Sequence, residues 1–316
     1  MAREQLGICA EANLHASYLL CNVLDGQEAI LRQKLLRIPQ MLQRLAEHFS
    51  ESMLTGLVAI SSHYWDSLYP WQRPSGLQAF PVLPSEHLAV SCSMADLLIQ
   101  VRSDRLDVNY IALQQIQQLL LANIEVSEQL SGFRYLDGRQ LTGFPDAPQN
   151  PRGIKRRQAA LVPAVDSPMF AGGSYLHFYR ANLDLKHWQQ LTVAQQEEIL
   201  GFAKTDGKPL PAERLLPNSH LQCSLAGGLA PLPLLQQNMP FAQGNSQGLL
   251  VLNFSHQAER FAQQWHYRLG LNEGRYYDSL LDFYRIDLAA AFFVPALGFL
   301  EAAANDSLGT SSDLFE

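Results

Sequence analysis

The feature that most constrains the fold of this chain is an order of strands and helices, β-α-β-β-α-β, that occurs twice. In the first half, apolar residues recur at helical spacing over residues 27–49, and Pro39 is expected to kink or restart that helix. A second helix is predicted over residues 108–122, with Asp107 as its N-cap. Apolar, β-branched runs predict four strands, at residues 16–23, 55–61, 95–102 and 124–135.

The second half repeats this order. A capping-box signature at Thr192 and Gln195 predicts a helix to about residue 204, and Ser255 is expected to cap another to about residue 269. Strands are predicted at residues 175–181, 234–239, 248–254 and 289–294. Two copies of the order predict an α+β fold made of tandem ferredoxin-like halves with antiparallel sheets.

The predicted halves span residues 1–136 and 174–302, joined by a connection at 137–173. A second long irregular stretch, residues 205–233, interrupts the C-terminal half. Long loops inside a compact domain tend to carry function, so we expect the site to lie around these two segments. Residues 303–316 are rich in Ser, Ala and Asp and are predicted to form a disordered tail.

Composition and charge exclude several classes of protein. The 316 residues carry a formal net charge of -7, which disfavours a nucleic-acid-binding role. No apolar run approaches membrane-spanning length, and no signal-type core follows the polar N-terminus. The four cysteines form no CxxC pair and have no zinc spacing. Free thiols without an export signal predict a reducing, cytoplasmic location.

A loop punctuated by glycine and proline, residues 143–150, presents a single acid, Asp146, near the middle of the chain. Three segments follow it in order: Gly172-Gly173-Ser174-Tyr175, Asn218-Ser219-His220-Leu221 and Gln237-Asn238-Met239-Pro240-Phe241. In this order and at these separations, the set resembles the dye-decolorizing peroxidases, a family of haem proteins. The resemblance runs over nearly the whole chain, from Gln5 to Pro295.

The resemblance implies that haem b is held in the C-terminal half, with His220 as the protein ligand of the iron. The second imidazole nitrogen of such a ligand needs an acceptor that fixes the ring and raises its basicity. Asp278 matches an acidic position of the family and is the expected partner. His177, in a strand-like run, is the main competitor of His220 for the role of ligand.

The opposite, distal face of the haem must move a proton from one peroxide oxygen to the other. This work needs a base within hydrogen-bond reach and a donor or cation that faces the leaving oxygen. Asp146 matches the family's distal acid, and Gln236 and Asn238 are the other expected catalytic residues. Asp146, Gln149 and Asn150 are also expected to contact the cofactor.

The chain departs from the family pattern at four positions. Relatives carry arginine two residues before the position of Asn238, whereas this chain has Gln236, which donates a hydrogen bond but has no charge. Phe202 and Cys223 also stand where relatives carry arginine. Ala147 replaces a glycine whose positive φ alanine resists, so a differently shaped loop is expected. Fewer cations around an anionic cofactor are expected to weaken haem binding, peroxide chemistry or both.

Two functions of different classes follow. The first is a haem peroxidase that uses hydrogen peroxide to oxidise small aromatic donors, with activity reduced by Gln236. The second is a catalytically degenerate relative that keeps the fold as a haem-binding or haem-free binding or structural module. Retention of Asp146, His220 and Asn238 favours the first, and the missing arginines favour the second. The resemblance also implies a homo-oligomer, and Ser307-Leu308-Gly309 faintly resembles the end of peptides that load such peroxidases into encapsulin shells.

Overall fold

The computed structural model of the chain describes residues 3–83, 88–226, 230–231, 234–272 and 274–305. Residues 306–316, and with them Ser307-Leu308-Gly309 and most of the predicted tail, lie outside this range. The elements of the N-terminal half are β1 (His15–Val23), α1 (Glu28–His48), β2 (Thr55–Ser61), α2 (Trp65–Leu68), β3 (Val90–Cys92), β4 (Leu97–Ser103), α3 (Leu106–Leu120) and β5 (Ile124–Phe133), with a 3-10 turn at Ser50–Ser52.

The C-terminal half begins after a short connecting helix, α4. Its helices and strands are α4 (Ile154–Ala160), β6 (Ser174–Leu183), α5 (Leu185–Gln190), α6 (Val193–Leu200), α7 (His220–Cys223), β7 (Leu225–Ala226), β8 (Ala230–Pro231), β9 (Leu235–Gln243), β10 (Ser246–Ser255), α8 (Glu259–Arg268), β11 (Tyr284–Val294) and α9 (Leu297–Ala304). Two 3-10 turns, Ala212–Arg214 and Ser279–Phe283, lie between them. Helix α9 takes in the first two residues of the predicted tail.

The four main strands of each half have the same spatial order. The N-terminal half runs β5-β1-β4-β2 and the C-terminal half runs β11-β6-β10-β9, so in each half the last strand lies beside the first. All six pairings within the halves are antiparallel. The α+β, ferredoxin-like prediction is therefore confirmed. The halves join where β2 pairs with β11, with Ser61 opposite Phe292 and Ile60 opposite Phe293.

Apolar side chains from both halves meet in one inner core, to which β1, β4, β9 and β10 all contribute. The strands at the two ends of the spatial order, β5 and β9, come together at Gly132, where an added Cβ would lie 2.6 Å from Cβ of Met239. Leu235 and Met239 of β9 face this core. Because side chains alternate along a strand, Gln236 and Asn238 leave β9 on the opposite, outer face. The candidate site lies on that outer face.

The structure departs from three local predictions. Helix α1 does not restart at Pro39 but runs through it, because a buried stripe that includes Leu35, Ile38 and Leu42 stabilises it against the roughly 3 kcal/mol cost of an internal proline; the expected kink stays a prediction. Asp107 lies inside the first turn of α3, and its carboxylate pairs with Arg105, the N-cap residue, instead of capping the helix.

The third departure concerns Ser255, which ends β10 rather than capping α8. Its hydroxyl donates to the carbonyl of Gln257 at 2.7 Å, and helix α8 begins only at Glu259. The capping box of Thr192 and Gln195 is present, although α6 ends at Leu200 and not near residue 204.

The four cysteines are all free thiols. None of the helices in the described ranges is both long and apolar enough to cross a membrane.

Candidate functional site

A cleft opens on the outer face of the C-terminal sheet, between the 143–150 loop and helices α7 and α8. It encloses about 910 Å³ of space free of protein atoms, part of it open to solvent. Its apolar walls come from Phe144, Leu200, Phe202, Leu221, Leu234 and Leu280. Its polar lining comes from Gln149, Asn150, His220, Gln236, Gln264 and Arg268.

His220 opens the single turn of α7, and its ring is held from behind by a buried carboxylate. Nδ1 lies 2.8 Å from Oδ2 of Asp278, and Nε of Arg268 donates to the same oxygen at 2.7 Å. Burial alone would raise the pKa of Asp278, but the charges and hydrogen bonds of His220 and Arg268 outweigh it and lower the pKa to about 2. In the neutral form of the imidazole, an ionised Asp278 accepts the proton of Nδ1 and leaves the lone pair on Nε2.

Backbone contacts fix the relative positions of His220 and Asp278, which are 58 residues apart. The amide of Ser279 donates to the carbonyl of Asn218 at 3.1 Å, and the amide of Asp278 donates to the carbonyl of Arg268 at 2.8 Å. The second carboxylate oxygen of Asp278 accepts from the amide of Leu280 at 3.0 Å. The expected pairing of Asp278 with His220 is thus present, while the role of the pair towards a cofactor stays a prediction.

Asp146 lies on the far side of the site and is held by two neutral amides. Its Oδ1 accepts from Nδ2 of Asn238 at 2.8 Å and from Nε2 of Gln140 at 2.9 Å. Burial raises the pKa of Asp146, and the two hydrogen bonds and the charge of Arg102 offset only part of this effect. The carboxyl group therefore titrates closer to neutral pH than an ordinary aspartate does.

Asn150 anchors the loop to the edge of β9. Its Nδ2 donates to the carbonyl of Gln236 at 2.7 Å, and its Oδ1 accepts from the amide of Gln236 at 2.9 Å. The side chain of Gln236 donates to Oδ1 of Asn253 at 3.2 Å. Gln149 is exposed and lines the cleft. The contacts expected from Gln149 and Asn150 to a cofactor stay predictions.

Ala147 does adopt the conformation that its side chain disfavours, with a φ of +40°. The differently shaped loop expected from alanine at this position stays a prediction. The carbonyl of Ala147 accepts from the amide of Asn150 at 2.9 Å, and the anchors at Asp146 and Asn150 hold both sides of the turn. These contacts outweigh a left-handed penalty of about 1–2 kcal/mol.

A second cavity adjoins the cleft, and five arginines of the described chain line it: Arg102, Arg134, Arg139, Arg152 and Arg156. We call it the arginine cavity. Asp146 and Asn238 line this cavity and not the cleft, whereas Ala147, Asn150 and Gln236 line both. The structure therefore brings Gln236 and His220 to one cleft and places the carboxyl group of Asp146 just behind its wall.

Two other side chains of types that ligate metals, His177 and Cys223, do not line the cleft. His177 is buried in β6 and stacked on Phe261, with ring centroids 4.2 Å apart, and burial lowers its pKa to about 3. It lines a different cavity, on the other side of α8. Cys223 donates its thiol hydrogen to the carbonyl of Tyr276 at 3.3 Å, and burial raises its pKa to about 12, so it is a protonated thiol.

The cleft fits a haem group. A neutral imidazole is one of the usual protein ligands of haem iron, and the Nδ1 contact of His220 would orient one; apolar walls of the kind found here suit the macrocycle. Throughout the residues that the structure describes, no three His, Cys, Asp or Glu side chains gather to hold a metal ion. The role of His220 as the iron ligand stays a prediction.

Comparison with protein families identifies the family of this chain. Residues 5–134 match the family model "Dyp-type peroxidase, N-terminal", and residues 137–299 match "Dyp-type peroxidase, C-terminal". The chain belongs to the Dyp-type peroxidase family. A Dyp-type peroxidase protein from Shewanella oneidensis has 34% identity and a TM-score of 0.91, covering 95% of this chain and 98% of that one. A dye-decolorizing protein from V. cholerae has 30% identity and a TM-score of 0.86, covering 94% and 99%.

More distant relatives carry information on assembly and cofactor. The dye-decolorizing peroxidase of Mycolicibacterium paratuberculosis is 28% identical over 292 residues, which are 90% of this chain and 82% of that protein. An encapsulated DyP-type peroxidase from Mycobacterium smegmatis has 25% identity and a TM-score of 0.89, covering 95% and 98%. An arginine-to-leucine variant of DypB from Rhodococcus jostii RHA1, solved in complex with heme, has 25% identity and a TM-score of 0.87, covering 95% and 99%.

Sequence reasoning missed three residues that shape this site: Gln140, Arg268 and Arg102. Gln140 and Arg268 belong to no spacing pattern, because they reach Asp146 and Asp278 only through the fold. Arg102 could have been found from the sequence. Leu98, Gln100 and Arg102 alternate along β4 and so share one face of it, and Leu98 belongs to the inner core. A polar pair such as Gln100 and Arg102 on a buried strand predicts a polar network inside the protein.

Proposed function

We propose that this chain is a haem-dependent peroxidase of the dye-decolorizing type, which uses hydrogen peroxide to oxidise small aromatic donors, with haem b as its cofactor. The observation that carries the proposal is the imidazole of His220, directed by the buried carboxylate of Asp278, in the wall of an apolar cleft. Arg268 keeps that carboxylate ionised. Membership of the Dyp-type peroxidase family supports the same function.

Bound haem would supply the redox chemistry, in which hydrogen peroxide is reduced to water at the expense of two one-electron donors. His220 would hold the iron through Nε2, with Asp278 fixing its tautomer. Asp146 would accept a proton from one peroxide oxygen and return it to the other. The side chains of Asn238 and Gln140 both donate to Oδ1 of Asp146, so Oδ2 is the oxygen that would carry the proton.

We further propose that Gln236 reduces the rate of this reaction. A guanidinium facing the leaving oxygen would stabilise its developing charge, and a neutral amide does so less. Near contact distance, at an effective dielectric of about 20, a unit charge matters by a few kcal/mol. A loss of about 3 kcal/mol slows a step by roughly a hundredfold.

The test is the absorption spectrum of the purified protein, before and after haem is supplied, followed by stopped-flow mixing with hydrogen peroxide. The proposal expects about one haem per chain and a Soret band that changes on mixing. Protein that takes up no haem would overturn the proposal.

A second candidate function is a haem-binding or haem-free module without efficient turnover. Two observations favour it: the carboxyl group of Asp146 is not part of the cleft wall, and the amide of Gln236 is tied to Asn253. Stoichiometric haem with no reaction towards peroxide, in the wild type and in Gln236→Arg alike, would favour the haem-binding module. Absence of haem would favour the haem-free one.

We also propose a homo-oligomer that acts in the cytoplasm, because the family resemblance implies the first and the four free thiols suit the second. Encapsulation is a weaker proposal, supported by the encapsulated relative from M. smegmatis. Light scattering of the purified protein tests the oligomer. Co-expression with a shell protein, with and without residues 303–316, tests encapsulation, and equal capture of both forms would contradict a role for the tail.

A further inference from the structure

A buried arginine of the N-terminal half lies beside the proposed proton acceptor. Arg102 of β4 is only 1% exposed, and its Nη1 donates to Oε1 of Gln237, on β9, at 2.7 Å. Its Nη2 lies 3.8 Å from the sulfur of Met239, and Nε has no hydrogen-bond acceptor in the described part of the chain. A buried cation whose direct partners are neutral is costly, so its charge should be balanced by an anion nearby.

Arg102 and Asp146 meet through β9 and the arginine cavity. Both line that cavity. Gln237, which accepts from Arg102, is followed by Asn238, which donates to Asp146. Neighbouring side chains leave a strand on opposite faces, so Arg102 and Asp146 approach β9 from its two sides.

Other charged groups lie around this pair. Asp104, whose charge also acts on Arg102, does not line the arginine cavity, and it accepts from Nδ2 of Asn13 at 3.2 Å and from the amide of Leu14 at 3.0 Å. Arg156 donates to Oε2 of Glu11 at 3.1 Å and to backbone carbonyls. Arg134 is exposed, and Arg139 pairs with Asp137 and with the carbonyls of Gly143, Lys204 and Thr205.

Two more groups face the pair without pairing with Asp146. The hydroxyl of Tyr18 is buried near Arg102, and Arg152 is exposed at the mouth of the arginine cavity. Asp146 itself is bonded only by the neutral amides of Asn238 and Gln140 among the described side chains. A buried cation and a partly buried acid, each with neutral direct partners, therefore line one cavity.

We propose that Arg102 is a positioning residue, which holds Asp146 in its carboxylate form and supplies from the N-terminal half the positive charge that Gln236 lacks. The inference rests on the proposed function, where Asp146 accepts the peroxide proton. It agrees with the electrostatics of the site, since the charge of Arg102 lowers the pKa of Asp146 while burial raises it. An amide at position 236 is then tolerable, because a second cation acts from behind the strand.

The test measures the protonation of Asp146 directly in the purified protein. The infrared band of its protonated carboxyl group is followed against pH, and the same titration with Asp146→Asn added is subtracted. The variants are Arg102→Gln, Arg102→Met and Arg102→Lys. Arg156→Gln is the matched control, because it removes another arginine of the same cavity. Arg102→Met is the alternative neutral variant if Arg102→Gln does not fold, because an apolar residue in place of a buried charge is often tolerated.

The proposal expects Arg102→Gln or Arg102→Met to raise the pKa of Asp146 by about one unit, a roughly tenfold gain in proton affinity. Arg102→Lys should restore most of the wild-type value, and Arg156→Gln should leave it unchanged. An unchanged pKa in the neutral variants, or an equal shift in Arg156→Gln, would overturn the proposal. The titration needs no turnover, so a protein inert to peroxide would refute the proposed function without deciding the role of Arg102.

Discussion

Replacement of Asp278 by asparagine should destabilise the protein and disturb the orientation of His220. The carboxylate is fully buried and accepts three hydrogen bonds, from His220, Arg268 and the amide of Leu280. An asparagine has one acceptor oxygen and one amide donor in the same space. Whichever way it is turned, a donor faces a donor, and the buried guanidinium of Arg268 loses its counter-charge.

The magnitude follows from the titration of Asp278. A fall in its pKa from 3.8 to about 2 corresponds to roughly 2.5 kcal/mol of preference for the ionised form in the folded state, at about 1.4 kcal/mol per unit. Removing one partner of a buried ion pair costs about 3–5 kcal/mol, and the remaining amide oxygen recovers part of this. We therefore expect Asp278→Asn to lower the free energy of unfolding at neutral pH by about 2–4 kcal/mol.

The pH dependence adds an independent check. Because the pKa of Asp278 is lower in the folded state, its contribution is present above the unfolded pKa of 3.8 and is lost as pH falls through about 2. The substituted asparagine has no carboxyl group to titrate, so the variant should show a smaller loss of stability between about pH 5 and pH 2 than the wild type.

Urea unfolding followed by tryptophan fluorescence measures both quantities. The control is Asp66→Asn, which removes an exposed carboxylate paired with Arg73 at 2.7 Å and should cost no more than about 1 kcal/mol. The reasoning fails if Asp278→Asn is as stable as the control at neutral pH, or if its acid dependence equals that of the wild type.

Four further outcomes are expected. His220→Ala should lose stoichiometric haem, whereas His177→Gln should keep it; an unchanged Soret band in the first would remove His220 as the ligand. Gln236→Arg, at matched haem occupancy, should accelerate the reaction with peroxide by about one to three powers of ten in stopped flow, and no gain would favour the module. The rate of the wild-type reaction with peroxide should fall as pH drops through the raised pKa of Asp146, and in Gln236→Arg this fall should occur at lower pH. The Asp146→Asn variant should react slowly at every pH. Ala147→Gly should raise the free energy of unfolding by about 1 kcal/mol through relief of its positive φ, and a destabilised variant would contradict that strain.

The strands were the most predictable part of the fold. The strand predicted at residues 16–23 is β1, His15–Val23, and the one at 55–61 is β2, Thr55–Ser61. Continuous apolar runs of this length have few other ways to bury themselves.

Helix ends were less predictable. The 3.6-residue period does not mark the last turn of a helix, and the side chains of Asp107 and Ser255 bind partners other than the helix amides. The pairing of β2 with β11 joins segments from opposite ends of the chain and has no local signature.

The candidate site also has a part that the sequence predicts and a part that it does not. His220, Asp146 and Asn238 could be predicted because a family pattern fixes their order along the chain. The partners that set their chemistry could not, because each arrives from another element: Arg268 from the end of α8, Gln140 from the turn before the loop, and Arg102 from the other half of the protein.

The two acids of the site have opposite electrostatic settings, and the difference comes from these long-range partners. Asp278 has a buried cation in direct contact and stays ionised far below neutral pH. Asp146 has only amides in contact, so burial shifts its pKa upwards. A carboxylate that only orients an imidazole gains from a permanent charge, whereas one that must take up and release a proton gains from a pKa nearer the working pH. The presence of glutamine rather than arginine at position 236 does not affect the charges around Asp278, but it removes a positive charge near Asp146. The cost of the missing arginine should therefore appear in the peroxide step and its pH dependence more than in haem retention.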